Sequence, residues 1–176
     1  MNLNLTAINL DNNINKNPIS RTNNYPREMD SDWGQLEIIS EPVPNQNNND
    51  DYSYSPKIAV EDNKIYVVWE DLTNYNNVGN DRDIFYRYFN GIKWSDIQVI
   101  SEPIDGQNYN TGDSLEPDIA VYNSKIYVVW HDNNNTNGAN SDMDIFYRCN
   151  LSGKSWEPIQ VISEPIYGQN SNTYES

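Results

Sequence analysis

The sequence predicts an all-β protein built from repeated four-stranded antiparallel sheets, the blades of a β-propeller. The stretch Lys125–Asp132 recurs with one change as Lys64–Asp71, and Trp69 and Trp130 lie 61 positions apart. Both alternating faces of this stretch are apolar, which is typical of a strand buried on both sides. A repeat of this regularity favours a propeller over a two-layer sandwich, whose strands bury mostly one face.

Each whole repeat contains four β-rich segments separated by turn residues. The spacing predicts two blades, over residues 56–100 and 117–162, each with a polar and half-exposed fourth strand at its edge. The predicted strands are Pro56–Glu61, Lys64–Asp71, Arg82–Phe89 and Trp94–Ile100 in the first blade, and Pro117–Tyr122, Lys125–Asp132, Met143–Asn150 and Trp156–Ile162 in the second.

The repeat also sets the domain organisation. Ile39-Ser-Glu-Pro42 recurs at residues 100–103 and 162–165, so residues 33–40 are interpreted as a stray fourth strand, the end of another repeat. Residues 33–176 are therefore predicted to form one propeller segment. Residues 1–32 are rich in Asn and lack sustained periodicity, which indicates a tail or a degenerate repeat remnant.

Composition excludes several classes of partner. The chain has 176 residues and a net charge of −15, which argues against nucleic acid and anionic membranes because both attract basic patches. The single Cys149 excludes an internal disulfide and a cysteine-based metal cluster. No apolar run reaches the length of a membrane span, and the N-terminus lacks the features of a secretory signal. We expect either a cytoplasmic protein or a piece of a longer chain.

The repeated pattern, Pro-x-Ile-Ala-Val, Lys-Ile-Tyr-Val-Val-Trp-x-Asp, Asp-Ile-Phe-Tyr-Arg and Gly-x-x-Trp, resembles sialidase-like propeller repeats of archaeal and bacterial cell-surface proteins. The resemblance covers residues 33–176 and implies an extracellular or cell-surface location. Such repeats often carry an Asp-box, of which only Gly91-x-x-Trp94 and Gly153-x-x-Trp156 remain here. The Asp positions of the box are taken by Phe89 and Leu151, so the resemblance implies a turn that has lost the box.

The resemblance also implies what catalysis would need. Sialidases of this fold use an arginine cluster for the substrate carboxylate, a Tyr–Glu nucleophile pair and an Asp acid. Arg87 and Arg148 are repeat equivalents in different blades, so we expect them to lie apart rather than in one pocket. No catalytic residue is predicted.

Paired aspartates open both third strands, as Asp81-x-Asp83 and Asp142-x-Asp144. Such carboxylates can hold Ca²⁺, but Asp also caps turns at these positions, and we favour capping. The loop at residues 132–138 resembles the start of an EF-hand, but its Gly falls one place late and Met143 stands where the bidentate Glu belongs. We therefore predict no metal site and no cofactor.

Two further polar positions are interpreted as structural. His131, the single histidine, is the repeat equivalent of Glu70 and is expected to be a satisfied polar strand end rather than a general base. Glu102 and Glu164, in the Ser-Glu-Pro turns, are expected to be surface carboxylates at blade junctions.

Aromatic side chains in polar loops give the remaining ligand signal. These rings could stack on sugars or could plug the blade edges. The tyrosines concerned are Tyr75, Tyr109, Tyr167 and Tyr174.

The sequence as a whole favours a non-catalytic propeller module with a structural or protein-interaction role. A carbohydrate-binding propeller is the alternative, and a sialidase-like glycoside hydrolase fragment is disfavoured. Two blades are fewer than the four to eight that close a ring, so each chain would leave two apolar blade faces bare. We expect self-association into a ring, or packing against further blades of a longer chain.

Overall fold

The computed structural model describes residues 34–41, 49, 51–102, 110–135, 139, 142–153 and 155–164. The chain divides into two compact units, Met1–Glu37 and Ile38–Ser176. In the first unit only residues 34–37 are described, and they carry no strand. The predicted tail at residues 1–32 and Trp33 lie outside the described residues.

The second unit contains two four-stranded antiparallel sheets in which neighbours in sequence are neighbours in space. This confirms the predicted all-β class with one sheet for each repeat, and Trp69 and Trp130 lie in different sheets. The first sheet comprises β1 (Ser53–Glu61), β2 (Lys64–Asp71), β3 (Asp83–Phe89) and β4 (Gln98–Val99); the second comprises β5 (Ser114–Tyr122), β6 (Lys125–Asp132), β7 (Asp144–Asn150) and β8 (Gln160–Val161).

The two sheets repeat each other's register. Phe85 pairs with Val99 in the first sheet, and their equivalents Phe146 and Val161 pair in the second. β2 and β6 have the predicted bounds, because β-branched and aromatic side chains fill both and tight turns precede both. The turn residues Asp62 and Asn123 have φ values of 55° and 51°, the left-handed conformation that two-residue hairpin turns require.

The first strand of each sheet begins three residues earlier than predicted. A register shift follows Tyr54 in β1, where Ser55 adopts a φ of 49° immediately before Pro56. The same irregularity follows Leu115 in β5, where Glu116 has a φ of 50°. Proline cannot donate to a strand ladder and was therefore placed at the strand start, but a bulge accommodates it inside the strand.

The fourth strands are shorter than predicted, with two residues each. Residues before β4 lie alongside β3, but a side chain replaces the ladder at this edge. The Tyr88 amide donates to Ser95 Oγ (3.1 Å), and the Ser95 amide donates to the Tyr88 carbonyl (2.8 Å). Residues 34–40, the described part of the predicted stray strand, also have no assigned strand.

Each sheet has two faces. We call the face that carries the tryptophan of the second strand the Trp face, and the opposite face, which carries the tyrosine of that strand, the Tyr face. The Trp face of the first sheet carries Val67, Trp69 and Phe85, and its Tyr face carries Tyr66, Val68, Ile84 and Tyr86, since side chains alternate along a strand. The Tyr face of the first sheet and the Trp face of the second form one core cluster, in which Tyr66, Val68, Ile84 and Tyr86 meet Ile126, Val128, Trp130 and Phe146.

The prediction that both faces of Lys125–Asp132 are buried is wrong for this second copy. Tyr127 and Val129, on the Tyr face of the second sheet, are only half-buried, whereas Tyr66 and Val68 are buried. Among the described residues a second sheet covers the Tyr face of the first sheet, and no further sheet covers the Tyr face of the second. The same pair of side chains is therefore buried where a second sheet covers it and half-buried where none of the described sheets does.

Candidate functional site

A cleft of about 380 Å³ lies between the two sheets, at the edge where the β1–β2 and β3–β4 turns project. A volume of this size falls within the range of small-molecule sites. The side chains that shape it are Tyr66, Tyr86 and Tyr88 of the first sheet, with Asn90, Gln98 and Asn150 around them. We call this space the tyrosine cleft.

Three tyrosine rings form one wall of the tyrosine cleft. Tyr88 lies opposite Tyr66 in the β2–β3 ladder, and Tyr86 is on the same face of β3 two residues earlier. The Tyr88 ring stacks on both others at centroid distances of 6.2 Å, and Trp156 meets Tyr86 edge-on at 5.1 Å. Burial raises the pKa of Tyr66 and of Tyr86, so both hydroxyls keep their protons at neutral pH.

Three side-chain amides at the cleft are oriented by the protein. Asn90 Oδ1 accepts from the Ile92 and Lys93 amides (2.9 and 3.0 Å) within the β3–β4 turn. Asn150 Oδ1 accepts from the Gly153 amide (2.7 Å) in the equivalent turn, and Gln98 Oε1 accepts from Trp156 Nε1–H of the other sheet (2.8 Å). With each oxygen engaged, each NH₂ group remains as the hydrogen-bond donor.

The ring predicted to be a sugar platform in the first repeat has another role. Tyr75 lies in a 3-10 turn, is 5% exposed and packs against Phe85 at 6.1 Å, which fits the alternative that it plugs the edge of the sheet rather than stacking on a sugar. Tyr109, Tyr167 and Tyr174 lie outside the described residues. Sequence reasoning missed the tyrosine cleft because its rings come from strands, where aromatic residues were assigned to the core.

A buried aspartate organises the loop edge of each sheet. Asp132 Oδ2 accepts from Trp130 Nε1–H (3.0 Å), Ser114 Oγ–H (2.7 Å) and Asn110 Nδ2–H (2.8 Å), and Asp132 Oδ1 accepts from the Asn134 amide (2.8 Å). In the first sheet Asp71 accepts from the equivalent Trp, Ser and Asn side chains and from the Thr73 amide. The four accepted bonds offset only part of the cost of burial, which still raises the pKa of Asp132. With every bond made to the protein's own groups, this aspartate is structural.

The two repeated arginines bind backbone rather than a shared pocket. Arg148 Nη1 donates to the carbonyls of Ile100 and Glu102, both at 2.7 Å, in the segment that leads out of the first sheet. Arg87 Nη1 donates in the same way to Ile39 and Glu41 (2.9 and 2.7 Å). Each guanidinium therefore attaches a sheet to the segment that precedes it.

Of the aspartates that open the third strands, Asp83 and Asp144 are buried and Asp81 and Asp142 are half-buried. Asp83 Oδ1 accepts from Ser101 Oγ–H (2.7 Å), and Asp144 Oδ1 accepts from Ser163 Oγ–H (2.6 Å). Carboxylate oxygens of Asp81 and Asp83 that face the interior accept no hydrogen bond from the described residues. Burial, with the nearby Asp81 and Glu102 charges, raises the pKa of Asp83 to about 8. No group of three or more acidic, His or Cys side chains in the described ranges could hold a metal ion.

The prediction that Glu102 is a surface carboxylate is wrong. Glu102 is 7% exposed, and the backbone amide of Asn110 donates to its Oε1. Burial raises the pKa of Glu102 to about 7. Glu164, its repeat equivalent, is partly exposed, and His131 is half-buried at the end of β6, where it pairs with Leu115.

No protein-family model matches the chain, and a search of curated proteins finds no relative. Among the described residues, no helix is long and apolar enough to cross a membrane. The geometry of the chain's own residues is therefore the basis for a functional conclusion.

Proposed function

We propose that this chain is a non-catalytic module of a β-propeller, which assembles by packing the face of one blade against the face of the next. The observation that carries the proposal is a pair of identical residues in different surroundings. Ile119, on β5 of the second sheet, is 9% exposed because the first sheet covers it, whereas its equivalent Ile58, on β1, is 65% exposed. Val60, beside Ile58, is 63% exposed, whereas its equivalent Val121 packs against the core.

The face at the other end of the chain has the complementary character. The Tyr face of the second sheet carries four of the same side chains as the Tyr face of the first, and differs from it at His131 for Glu70 and Cys149 for Tyr88. The four shared side chains are buried in the first sheet, as Tyr66, Val68, Ile84 and Tyr86, and half-buried in the second, as Tyr127, Val129, Ile145 and Tyr147. A surface that repeats most of a buried surface supports an equivalent partner, the Trp face of another blade of this repeat.

A polar contact between the two sheets has an equivalent pair of residues in the sequence. Trp156 of the second sheet donates to Gln98 of the first, and the equivalent pair at a new junction would be Trp94 and Gln160. One contact would change, because the Glu116 amide donates to Glu70 Oε1 (2.6 Å) and Glu70 is replaced by His131 in the second sheet. The chain thus provides most of a second junction without repeating every bond.

The hydrogen bonds of the two repeated arginines support a non-catalytic role. Arg87 and Arg148 hold backbone carbonyls, which leaves neither Nη1 for a substrate carboxylate. Sugar hydrolysis needs two carboxyl groups facing one space, and the residues around the tyrosine cleft contribute amides, hydroxyls and Lys64. A cell-surface origin is part of the proposal only through the sequence resemblance.

Light scattering during size-exclusion chromatography tests the proposal. We expect the 20.4 kDa chain to form a ring of identical head-to-tail contacts, of which three chains would supply about six blades. Ile58→Asp puts a charge on the exposed β1 part of the Trp face, whose β2 and β3 side chains are buried, and should give a folded species of lower mass. Ile92→Asp is the matched control, because Ile92 is 88% exposed in the β3–β4 turn. A soluble wild-type monomer with cooperative unfolding would contradict the proposal.

A further inference from the structure

We infer that the tyrosine cleft binds one uncharged pyranose ring. The cleft lies between the two sheets of one chain, so it does not depend on assembly. A pyranose presents an apolar face of C–H groups and a rim of hydroxyls, and it therefore needs an aromatic surface with hydrogen-bond groups around it. The tyrosine cleft combines these two features.

The aromatic surface is built and held before any ligand arrives. Tyr88 is half-buried and is the ring of the three that a ligand can reach, since Tyr66 and Tyr86 are 4% and 2% exposed. These two buried rings stack against Tyr88 at interplanar angles of 21° and 26° and hold its orientation. Trp156 fixes Tyr86 from the side at an interplanar angle of 88°. A preorganised surface avoids the entropic cost of ordering side chains on binding.

The hydrogen-bond groups at the cleft suit hydroxyl oxygens. The amides of Asn90, Gln98 and Asn150 have their oxygens engaged by protein donors at 2.7 to 3.0 Å, which leaves the NH₂ group of each as its donor at the cleft. Lys64 adds a fourth donor at the cleft. Sugar hydroxyls accept from such donors and can donate to the tyrosine oxygens in return.

The charge around the cleft favours an uncharged sugar. The carboxylates of Glu61 and Asp62 lie near enough to add to the raised pKa of Tyr66. The chain as a whole carries a net charge of −15. Both would repel an acidic sugar, and Lys64 is a single positive charge against them.

The two repeats differ at the position of Tyr88, which lines the cleft. Its equivalent in the second sheet is Cys149, so the fold does not require a tyrosine there. The cleft between the two sheets therefore has a third ring that a cleft beside the second sheet would lack. This difference provides a substitution, Tyr88→Cys, that replaces the ring with the side chain of the sister repeat.

Saturation-transfer NMR on the full chain tests the inference, with methyl glycosides of glucose, galactose, mannose and N-acetylglucosamine as probes. We expect saturable transfer to ring protons of at least one neutral glycoside, and weaker binding of the methyl glucuronide. Tyr88→Cys should weaken binding about tenfold, since an aromatic contact contributes up to about 1.5 kcal/mol. Tyr88→Phe, which keeps the ring, should bind within about twofold of wild type. Tyr122→Ser is the matched control, because Tyr122 is exposed outside the cleft.

Two measurements keep the result decisive. The melting temperature of each variant is recorded, and Tyr88→Leu, which keeps apolar volume but no ring, replaces Tyr88→Cys if the latter unfolds. The inference is overturned if no neutral glycoside shows transfer, if ring removal leaves binding unchanged in a folded variant, or if the glucuronide binds more tightly than the neutral sugars.

Discussion

Replacing the carboxylate of Asp83 by an amide should stabilise the protein in alkaline solution and leave it nearly unchanged in acid. Asp83 is fully buried at the start of β3, and burial together with the charges of Asp81 and Glu102 raises its pKa from 3.8 to about 8. Asp83→Asn removes the charge and keeps an Oδ1 that can accept from Ser101 Oγ–H. The substitution therefore isolates the ionisation of one group.

The sign of the effect follows from proton linkage. Between pH 3.8 and about 8 the folded protein keeps a proton on Asp83 that the unfolded chain releases. The free energy of unfolding therefore falls as pH rises through this window and is level above it. Each pKa unit corresponds to 1.36 kcal/mol, so the upper limit is roughly 5 to 6 kcal/mol. Because the structure can relax around an ionised group, we expect Asp83→Asn to gain about 2 to 4 kcal/mol at about pH 8.5.

Urea unfolding followed by tryptophan fluorescence measures this difference, at fixed protein concentration because assembly would shift the midpoint. Asp71→Asn is the matched control, since Asp71 is also fully buried but accepts four hydrogen bonds. That control should lose about 2 to 4 kcal/mol at both pH values. Equal stability of Asp83→Asn and wild type at about pH 8.5 would refute the reasoning. A gain that appears in EDTA but vanishes in millimolar calcium would do the same, since a bound cation would then hold the charge.

Three further predictions concern the repeat. Arg148→Lys should lower the free energy of unfolding by about 2 to 3 kcal/mol in urea titrations, because an ammonium cannot reproduce the guanidinium bonds to the Ile100 and Glu102 carbonyls; a loss below about 0.5 kcal/mol would contradict this. Trp130→Phe should lower it by about 1 to 3 kcal/mol through the lost donor to Asp132, and an unchanged urea midpoint would argue against that bond. Calorimetric titration with calcium in moderate salt should show no saturable tight event, and a sub-micromolar site would overturn this expectation.

The strands could be predicted from the sequence where local signals agree. β2 and β6 consist of β-branched and aromatic residues bounded by turn residues, and both bounds were predicted correctly. The start of β1 could not be predicted, because the bulge at Ser55 is a backbone conformation that no residue type there demands. The fourth strand of the first sheet was predicted too long because Ser95 replaces a ladder bond by a side-chain bond, which strand propensity does not register. This reason does not apply to β8, where Glu157 stands at the equivalent position.

The candidate site was less predictable, because it arises from the packing of one sheet on another. In the sequence, Tyr66, Tyr86 and Tyr88 have the pattern of core residues. Only the difference between Tyr88 and its equivalent Cys149 distinguishes these stacked rings from the second repeat. Glu102 was placed on the surface because Ser-Glu-Pro is a polar turn sequence. In the folded chain the Asn110 amide donates to Glu102 Oε1, and burial of that kind depends on a residue eight positions away.

The arginine contacts determine how such a protein could have lengthened. The bonds around Asp132 join residues 110 to 134 and stay within one repeat, whereas Arg148 reaches back 48 positions to the last residues of the preceding one. Each repeat therefore supplies the hydrogen bonds around its own aspartate and also the arginine that binds the end of the preceding repeat. A tandem duplication of one such unit would add a sheet together with the arginine that binds the segment before it. A deletion of part of a unit would leave that arginine without its carbonyl partners.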